Sequence, residues 1–437
     1  MKKIVWAMLL SIWVLLAVIG HAKAQGVAEE GIEQNQLYAQ AAVLMDGQSG
    51  RVLYGKNADQ VLAMASTTKI MTCIIALEYG TLSDVVEISS YAASMPEVKL
   101  GVRAGECYRL EDLLYSLMLE SHNDVAVAIA EHIGKQYVEA LRGKTVTQFN
   151  SQESKTAVAA FAKLMNDKAL ELGCENTYFI TPNGLDGTEK VVLENGDVKE
   201  KFHSTTATEL ARIMSYCVLE SSCAELFLKI TRAPSHSFGN SKGRYFSCSN
   251  HNAFLNMMEG VISGKTGFTN KAGYCYVGAL ENEGRTFVVA LLACGWPSNK
   301  TYKWFDARKL MTYGLENYYF RYFLEETEAE KWNRSVPVWE GQTDHVGEEA
   351  FVGTKVLYEQ EDRTGLLMKQ GEQVCVEYDL VKCLHAPVEE GMKVGEVRYL
   401  VDEKVYHTLE IVTAESVEKI DWQWCLEQIF SCFLCFD

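Results

Sequence analysis

The sequence predicts an α+β fold in which an antiparallel sheet packs with helices, followed by a small all-β domain and a C-terminal amphipathic helix. Pairs of apolar runs that flank a turn, at 41–54 and 274–293, predict β-hairpins at both ends of a first domain, 25–325. Helical apolar patterns occupy the sequence between the hairpins. Short strands and turns then predict a second domain, a β-sandwich, at 335–414.

The N-terminal residues have the pattern of a secretory signal. Lys2 and Lys3 precede an apolar run at 4–20, and Ala22-Lys23-Ala24 supplies a small-x-small cleavage site. An uncleaved anchor is the alternative, although the run is at the short end for a bilayer span. We therefore predict a cleaved signal peptide, 1–24, and export of the protein.

The helices of the first domain are predicted where apolar residues recur with helical spacing, at 68–79, 111–119, 124–133 and 303–318. The helix at 68–79 is apolar nearly all round, which indicates that it is buried. The strands at the two ends of the domain are expected to share one antiparallel sheet, because helices separate them in the sequence.

The last segment, 415–437, is predicted to be an amphipathic helix. Its apolar residues follow the helical repeat: Trp422, Cys425, Leu426, Ile429, Phe433 and Phe436. A membrane surface would cover this stripe, and aromatic side chains suit that boundary. We predict an in-plane membrane anchor; a helix docked on the protein's own surface is the alternative.

Charge and composition exclude several kinds of partner. The 437 residues carry a formal net charge of −17, and such a surface repels phosphate backbones, so we predict no nucleic acid partner. The 13 cysteines are an odd number, which cannot pair completely within one chain. The sequence contains no HExxH or comparable His/Asp cluster, so we predict no metal and no other cofactor.

Ser66-Thr67-Thr68-Lys69 is the first of three short motifs. On a helix, Ser66 and Lys69 at i and i+3 share a face within hydrogen-bond reach. A lysine that burial and a nearby cation keep unprotonated can take the serine proton, and a helix start favours the developing negative charge. The pair predicts a nucleophile and its base, although an N-cap serine beside a solvated lysine gives the same pattern.

The second motif, Ser121-His122-Asn123, lies between two predicted helices. At such a junction, side chains can project into a cleft. Ser121 could pass a proton from Lys69 to a leaving amine, and Asn123 could hold the substrate amide together with Lys69. A helix–helix turn with capping Ser and Asn is the alternative interpretation.

The third motif, Lys265-Thr266-Gly267, follows Ser263-Gly264. A strand edge that carries a cation and a hydroxyl would bind a substrate carboxylate. The missing side chain at Gly267 would let the substrate backbone approach. Taken alone, this motif is also typical of a Gly-flanked turn.

Together, in this order, the motifs resemble the set found in penicillin-binding proteins and class A β-lactamases. The sequence resembles the low-molecular-mass penicillin-binding proteins of the D-alanyl-D-alanine carboxypeptidase group, peptidase family S11. Further segments carry the resemblance over nearly the whole chain after the signal: 172–179, 182–185, 203–210, 250–252 and 386–395.

The resemblance implies a DD-peptidase/β-lactamase-like fold for the first domain and a serine DD-carboxypeptidase activity. Such an enzyme removes the terminal D-alanine from peptidoglycan stem pentapeptides through an acyl-enzyme, here on Ser66. β-Lactams are expected to acylate the same serine. The resemblance also implies a place at the outer face of the cytoplasmic membrane or in the cell wall, and a role in cell-wall biogenesis.

Three alternatives remain at this point. A β-lactamase shares the motifs but needs a carboxylate for deacylation, usually in a Glu-x-x-x-Asn loop, and 171–176 lacks that spacing. A non-enzymatic cell-wall or sporulation scaffold with an inactive site is the second, against which the intact motif residues argue. An endopeptidase that cuts cross-links by the same chemistry is the third.

The sequence departs from the family pattern near the site. His122 stands where glycine or alanine is commoner, and an extra hairpin is predicted at 191–201, where it could overhang the cleft. His203 is interpreted as a structural side chain that fixes the start of the next helix. Thr206 and Glu209 are expected to form a capping box there.

Overall fold

The computed structural model describes residues 32–192, 196–323, 329–358 and 365–434. Two units are distinguished, 1–38 and 39–437. In the first unit the described residues contain a short 3-10 turn, Gln34–Gln36. The predicted signal peptide, 1–24, lies outside the described residues.

The main sheet joins the two ends of the first domain. It has five antiparallel strands in the order β2-β1-β11-β10-β9, and Val43 of β1 pairs with Ala290 of β11. Every residue of β11 is buried, because two helices, α6 (Ala207–Ser215) and α8 (Tyr302–Asn317), pack against this strand. The strands are β1 (Ala41–Asp46), β2 (Val52–Lys56), β3 (Val85–Glu87), β4 (Cys107–Arg109), β5 (Thr188–Val192), β6 (Val198–Phe202), β7 (Ser235–Gly239), β8 (Tyr245–Ser249), β9 (Val261–Thr269), β10 (Gly273–Asn282) and β11 (Arg285–Leu292).

The helices of this domain surround α1, in which every residue from 69 to 77 is buried. Helix α1 packs against α3, α4, α5, α6 and α7, which explains why its sequence is apolar nearly all round. The predicted α+β fold is confirmed. The helices are α1 (Lys69–Tyr79), α2 (Ser90–Ala93), α3 (Leu110–Leu119), α4 (Asn123–Gly134), α5 (Ser151–Glu171), α6 (Ala207–Ser215), α7 (Ala224–Arg232) and α8 (Tyr302–Asn317).

The C-terminal part of the chain is built from strands around its own apolar core, which includes Val397 and Ile411. Six strands form one sheet in the order β16-β18-β19-β14-β13-β17, and β12 pairs with β15. The strands are β12 (Tyr318–Tyr322), β13 (Ser335–Trp339), β14 (Ala350–Val356), β15 (Gly365–Lys369), β16 (Cys375–Leu380), β17 (Leu384–His385), β18 (Lys393–Val401) and β19 (Lys404–Thr413).

A buried arginine ties the first sheet to the β-domain. Arg51, at the β1–β2 turn, donates to the backbone oxygen of Leu367 at 2.8 Å and to both carboxylate oxygens of Glu372 at 2.9 Å. Asp402 accepts a further bond from this guanidinium at 3.0 Å. The planar guanidinium suits this set of acceptors, so the turn and the β-domain are held in a defined arrangement.

The C-terminal helix, α9 (Trp422–Leu434), begins later than predicted. The residues before it extend along the β-domain, where Val417 pairs with Val388 and Lys419 with Gly341. Val417 also packs against a small apolar cluster of the β-domain, which explains why the chain is not helical there. Cys435 and Phe436 lie outside the described residues.

Helix α9 exposes a stripe of large apolar side chains: Trp422, Leu426, Ile429, Phe430 and Phe433. On another face, the Trp424 indole N–H donates to the backbone oxygen of Thr343 at 3.2 Å. In the described ranges, no helix is both long and apolar enough to cross a bilayer.

Candidate active site

A cleft of about 360 Å³ lies where the turn before α1, the α3–α4 junction and edge strand β9 meet. Residues of all three sequence motifs line it, among them Ser66, Ser121, Asn123, Thr266 and Gly267. The fold therefore brings together segments that lie far apart in the sequence. The two lysines of the motifs, Lys69 and Lys265, are buried beside the cleft.

Ser66 lies in a 3-10 turn, Ala65–Thr68, and Lys69 is the first residue of α1. The Lys69 amine is 2.9 Å from the Ser66 hydroxyl oxygen, 2.9 Å from Asn123 Oδ1 and 2.6 Å from the Asn183 backbone oxygen. The i, i+3 spacing thus yields the contact that was expected, with the serine at a turn leading into the helix.

The Lys69 amine is surrounded by neutral acceptors rather than by a carboxylate. Burial lowers its pKa well below the usual value, and the nearby Lys265 charge lowers it further, against an opposing effect of Asp124. A neutral amine has two N–H groups and one lone pair. The oxygens of Asn123 and Asn183 can only accept, so the lone pair is left for the Ser66 hydroxyl.

Asp124 does not form an ion pair with Lys69, because its carboxylate is used elsewhere. Its two oxygens accept hydrogen bonds from the backbone N–H groups of a loop at distances of 2.9–3.1 Å: Leu100, Gly101 and Val102. The carboxylate therefore fixes this loop beside α4 and adds only a modest attraction to the lysine.

Lys265 projects from β9 toward the α3–α4 junction. Its amine donates to the Ser121 hydroxyl at 2.9 Å and to the Thr266 backbone oxygen at 2.9 Å. Burial lowers the pKa of Lys265 to about 7. A cation at this position can gain its missing counter-charge from an anionic ligand in the cleft, which would stabilise its charged form.

Two glycines allow backbone to approach the Ser66 turn. A Cβ at Gly267 would lie 2.8 Å from the Ser66 nitrogen, and a Cβ at Gly184 would lie 2.1 Å from the Ala65 backbone oxygen. Gly184 also has φ +85°, a conformation that favours glycine. The absence of these side chains keeps β9 and residues 183–185 against the amide of Ser66.

Sequence reasoning missed the role of Asn183, whose backbone oxygen contacts Lys69. The signal that marks this segment is Pro182-Asn183-Gly184-Leu185, quoted above only for its resemblance. A backbone carbonyl has no residue signature of its own, so its direction becomes visible only in the fold.

His203 is a structural side chain, but it acts at a different place from the one expected. Its Nδ1 accepts from the Ile180 N–H at 3.0 Å, so Nε2 carries the proton and donates to Thr68 Oγ1 at 2.7 Å. Burial lowers the pKa of His203 to about 3. The neutral ring therefore links the backbone at Ile180 to Thr68, directly before the start of α1.

The capping box at the start of α6 forms only in part. The Thr206 side chain accepts from the Glu209 N–H at 3.1 Å. The Glu209 carboxylate does not return to the cap; it accepts from the Asn176 N–H at 2.9 Å and from the Thr177 hydroxyl at 2.6 Å. These tertiary donors replace the local one because they are buried and need a partner.

The extra hairpin forms as β5 and β6, with its tip residues, 193–195, outside the described range. The hairpin contributes no residue to the cleft lining within the described part of the chain. Phe202, its last residue, lies under the Lys271 ammonium at 4.9 Å. This contact ties the hairpin to the β9–β10 turn, beside the cleft rather than over it.

The chain matches two family models. Residues 28–155 and 153–293 match D-alanyl-D-alanine carboxypeptidase (peptidase S11), and residues 330–419 match the C-terminal domain of penicillin-binding protein 5. The crystal structure of penicillin-binding protein 5 from Haemophilus influenzae superposes with a TM-score of 0.63 at 25% identity, covering 89% of this chain and 100% of that one.

Two curated relatives carry the same activity in their names. D-alanyl-D-alanine carboxypeptidase DacF of Bacillus subtilis is 26% identical over 428 residues, 96% of this chain and 95% of the relative. D-alanyl-D-alanine carboxypeptidase DacB2 of Mycobacterium tuberculosis is 30% identical over 255 residues, 58% of this chain and 74% of the relative.

Fold and matches together define a serine-type peptidase of the penicillin-binding class. Because the S11 model spans more than half of the sequence, the chain belongs to the D-alanyl-D-alanine carboxypeptidase family. It is a serine DD-carboxypeptidase of the bacterial cell wall, and its family acts on peptidoglycan peptides and binds β-lactams. The β-lactamase and the inactive scaffold considered above lack this support.

The His203→Ala variant is expected to lose about 2 kcal/mol of stability, because the Ile180 N–H and the Thr68 hydroxyl lose a buried partner. The neutral His203 ring stabilises the folded protein fully above its ordinary pKa of 6.5. This contribution to stability falls as the pH drops from 6.5 toward about 3. Melting curves of both proteins should therefore differ most near neutral pH and converge in acid.

His345→Ala, at an exposed histidine of the β-domain, serves as the matched control and should leave the melting temperature unchanged. The pH dependence of D-alanine release should also keep its shape in His203→Ala. A shifted acidic limb in that profile would give His203 a part in proton transfer and would contradict the structural role.

Proposed function

We propose that Ser66 is the nucleophile of this carboxypeptidase and Lys69 its general base. The single observation that supports this assignment is the 2.9 Å contact between the Lys69 amine and the Ser66 hydroxyl, within a shell that offers the amine only neutral acceptors. An amine held neutral by burial can take the hydroxyl proton at neutral pH.

In the proposed acylation, Ser66 Oγ attacks the carbonyl carbon of the penultimate D-alanine while its proton passes to the Lys69 amine. The Ser66 backbone N–H stabilises the negative oxygen of the tetrahedral intermediate. The bond to the terminal D-alanine then breaks, and the leaving amine takes through Ser121 the proton that Lys69 had accepted. Water later attacks the ester and gives one proton to Lys69, which passes it to the departing Ser66 oxygen and so restores the free enzyme.

Lys265 and Thr266 are proposed to hold the carboxylate of the terminal D-alanine. The Lys265 amine is buried at the wall of the cleft and has only a hydroxyl and a backbone oxygen as acceptors. A substrate carboxylate would supply the missing counter-charge. Asn123, which already contacts Lys69, would hold the substrate amide with its remaining hydrogen-bonding capacity.

The substrate proposed for this site is the stem pentapeptide of peptidoglycan, and β-lactams are proposed to acylate Ser66 because their ring mimics the D-alanyl-D-alanine amide. Cleavage of cross-links by the same serine would need the cleft to accept a branched peptide. Comparing a pentapeptide with a cross-linked dimer as substrates separates carboxypeptidase from endopeptidase activity.

Export and membrane attachment complete the proposal. Residues 1–24 would direct export and be removed, which places the enzyme at the outer face of the cytoplasmic membrane, beside the cell wall. The apolar stripe of α9 would lie in the membrane surface. The described helix contains no Lys or Arg, so attachment would rest on apolar insertion rather than on attraction to anionic lipids.

For the nucleophile, Ser66→Ala is expected to lose labelling by a fluorescent penicillin and to release D-alanine from a pentapeptide at least about 10⁴-fold more slowly. The reason is that no other group can form the acyl-enzyme. Ser222→Ala, at an exposed serine after the helical segment that follows α6, should match the wild type in both assays. Covalent labelling that persists in Ser66→Ala would assign the nucleophile elsewhere.

The role of Lys69 as base can be tested through Lys265→Gln. This variant is expected to move the acidic limb of the pH–rate profile for acylation to higher pH. The Lys265 charge lowers the pKa of Lys69, so its removal raises that pKa, and more alkaline conditions are then needed to free the base. Acylation by fluorescent penicillin should also slow by about 10²–10³-fold. The rate constant is measured from about pH 5 to pH 10.

Lys265→Arg is the matched control for this shift, because it retains the charge although its planar head alters the fit to the carboxylate. Its acidic limb should stay near that of the wild type while its rate falls. An unmoved limb in Lys265→Gln, with a reduced rate, would mean that Lys69 is not the group that titrates.

For the membrane helix, a chain that ends at Asp421 is expected to bind neutral phosphatidylcholine vesicles at least about tenfold less than the chain ending at Asp437. The cut is placed before Trp422 because the preceding residues pair with the β-domain. Ile429→Ser with Phe433→Ser should weaken co-sedimentation similarly, and Glu427→Gln should not. Unchanged binding of the shortened chain would instead favour a helix docked on the protein surface.

A further inference from the structure

We propose that Glu120, His122 and Cys248 form a binding site for a thiophilic transition-metal ion such as Zn²⁺. One carboxylate oxygen, one imidazole nitrogen and the thiol sulfur lie within 4.8 Å of one another. Carboxylate, imidazole and thiolate are all established kinds of Zn²⁺ ligand, and three protein ligands with one open position are a common arrangement.

The ligand atoms are already close to the spacing that a single ion requires. Metal–ligand bonds of about 2.0–2.3 Å place two ligands of a tetrahedral ion roughly 3.3–3.7 Å apart. His122 Nε2 and Glu120 Oε2 are 3.3 Å apart. The thiol would need to move inward by about an ångström at most, which a rotation of the Cys248 side chain can supply.

The side chain of Ser116, on α3, orients one of the three ligands. Its hydroxyl lies 2.7 Å from His122 Nδ1, so the other ring nitrogen, Nε2, is directed at the cluster. Ring N–H bonds of this kind fix the tautomer of metal-binding histidines.

The backbone around the cluster is also held in place. The Ser249 N–H donates to Glu120 Oε1 at 2.8 Å, which leaves Oε2 facing His122. The His251 N–H donates to the Leu119 backbone oxygen at 3.0 Å and joins the end of the β7–β8 hairpin to α3. The ligands therefore sit on two segments that are fixed to each other, as a preorganised site requires.

An ion can enter and leave through the cleft. Cys248 and His122 are buried, whereas Glu120 is part of the cleft lining, so the fourth position of the ion would face the cleft. Binding replaces the S–H bond of Cys248 with a metal–sulfur bond and releases that proton to solvent. Oxidation states do not change, so no further reactant is needed.

The sequence predicted no metal, because these residues have no recognisable ligand spacing. Cys248 lies in β8, more than a hundred positions after His122, and the two meet only when the β7–β8 hairpin packs against α3. The proposed ion takes no part in the reaction of the serine–lysine pair, but its binding would contradict the prediction that the protein holds no metal.

The test is metal binding by the full chain without turnover. The wild-type protein should bind one Co²⁺ with the near-ultraviolet absorption of a thiolate-to-cobalt bond, and one Zn²⁺ by calorimetry. Cys248→Ser should abolish that absorption and weaken Zn²⁺ binding at least about 100-fold. Ser116→Ala, which keeps all three ligands, should weaken binding by about 10–100-fold.

Cys375→Ser, at an exposed thiol in β16, is the matched control and should bind both ions as the wild type does. Labelling by fluorescent penicillin at the wild-type rate shows that each variant is folded. This control does not depend on whether the variant binds a metal ion. Zn²⁺ affinity that is equal in the wild type, Cys248→Ser and Ser116→Ala would overturn the proposal, as would a wild-type protein that shows no thiolate absorption with Co²⁺.

Discussion

The burial of one lysine amine beside a serine hydroxyl is the constraint on which the rest of the structure depends. Lys69 lies at the start of a helix whose next eight residues are also buried, and its own side chain is buried, so an ammonium ion at this place would lose most of its hydration. The two other acceptors of the amine are neutral, and the nearest carboxylate, that of Asp124, is occupied by backbone N–H groups. These two conditions together lower the pKa of the amine, because a free carboxylate beside it would offset the effect of burial.

This environment is assembled from distant parts of the chain. The Asn123 amide comes from the start of α4, the Asn183 carbonyl from a loop after α5, and the Lys265 charge from the edge of the main sheet. Glycine is required where the pieces meet, since a side chain at 184 or 267 would collide with the backbone around Ser66. The sheet that closes β1 onto β11 thus fixes the position of a pair of residues only three apart in the sequence.

How much of this could be predicted depends on whether a feature is local. The serine–lysine contact follows from helical spacing, and the fold class follows from the apolar runs of β1, β10 and β11 and from the apolar α1. The late start of α9 and the redirected Glu209 carboxylate could not be predicted in the same way. In both cases a tertiary partner replaces a local pattern. Residues 415–420 pair with the β-domain edge instead of forming a helix, and the Glu209 carboxylate bonds to the Asn176 amide and the Thr177 hydroxyl instead of closing the capping box.

The backbone conformation at Ser121 explains how one short loop can contact both Lys265 and the cluster of Glu120, His122 and Cys248. Ser121 has φ +68°, a left-handed conformation that costs a serine roughly 1–2 kcal/mol. This turn directs the Ser121 hydroxyl to Lys265, while the side chains on either side of it, Glu120 and His122, face each other and Cys248. The Asn123 N–H, bonded to the Val98 oxygen at 2.7 Å, and the α3 and α4 helices hold the loop in this state. An ordinary helical φ at Ser121 would change the directions of these three side chains. This residue therefore lets one loop serve both Lys265 and the proposed ligand cluster, whose Glu120 also lines the cleft.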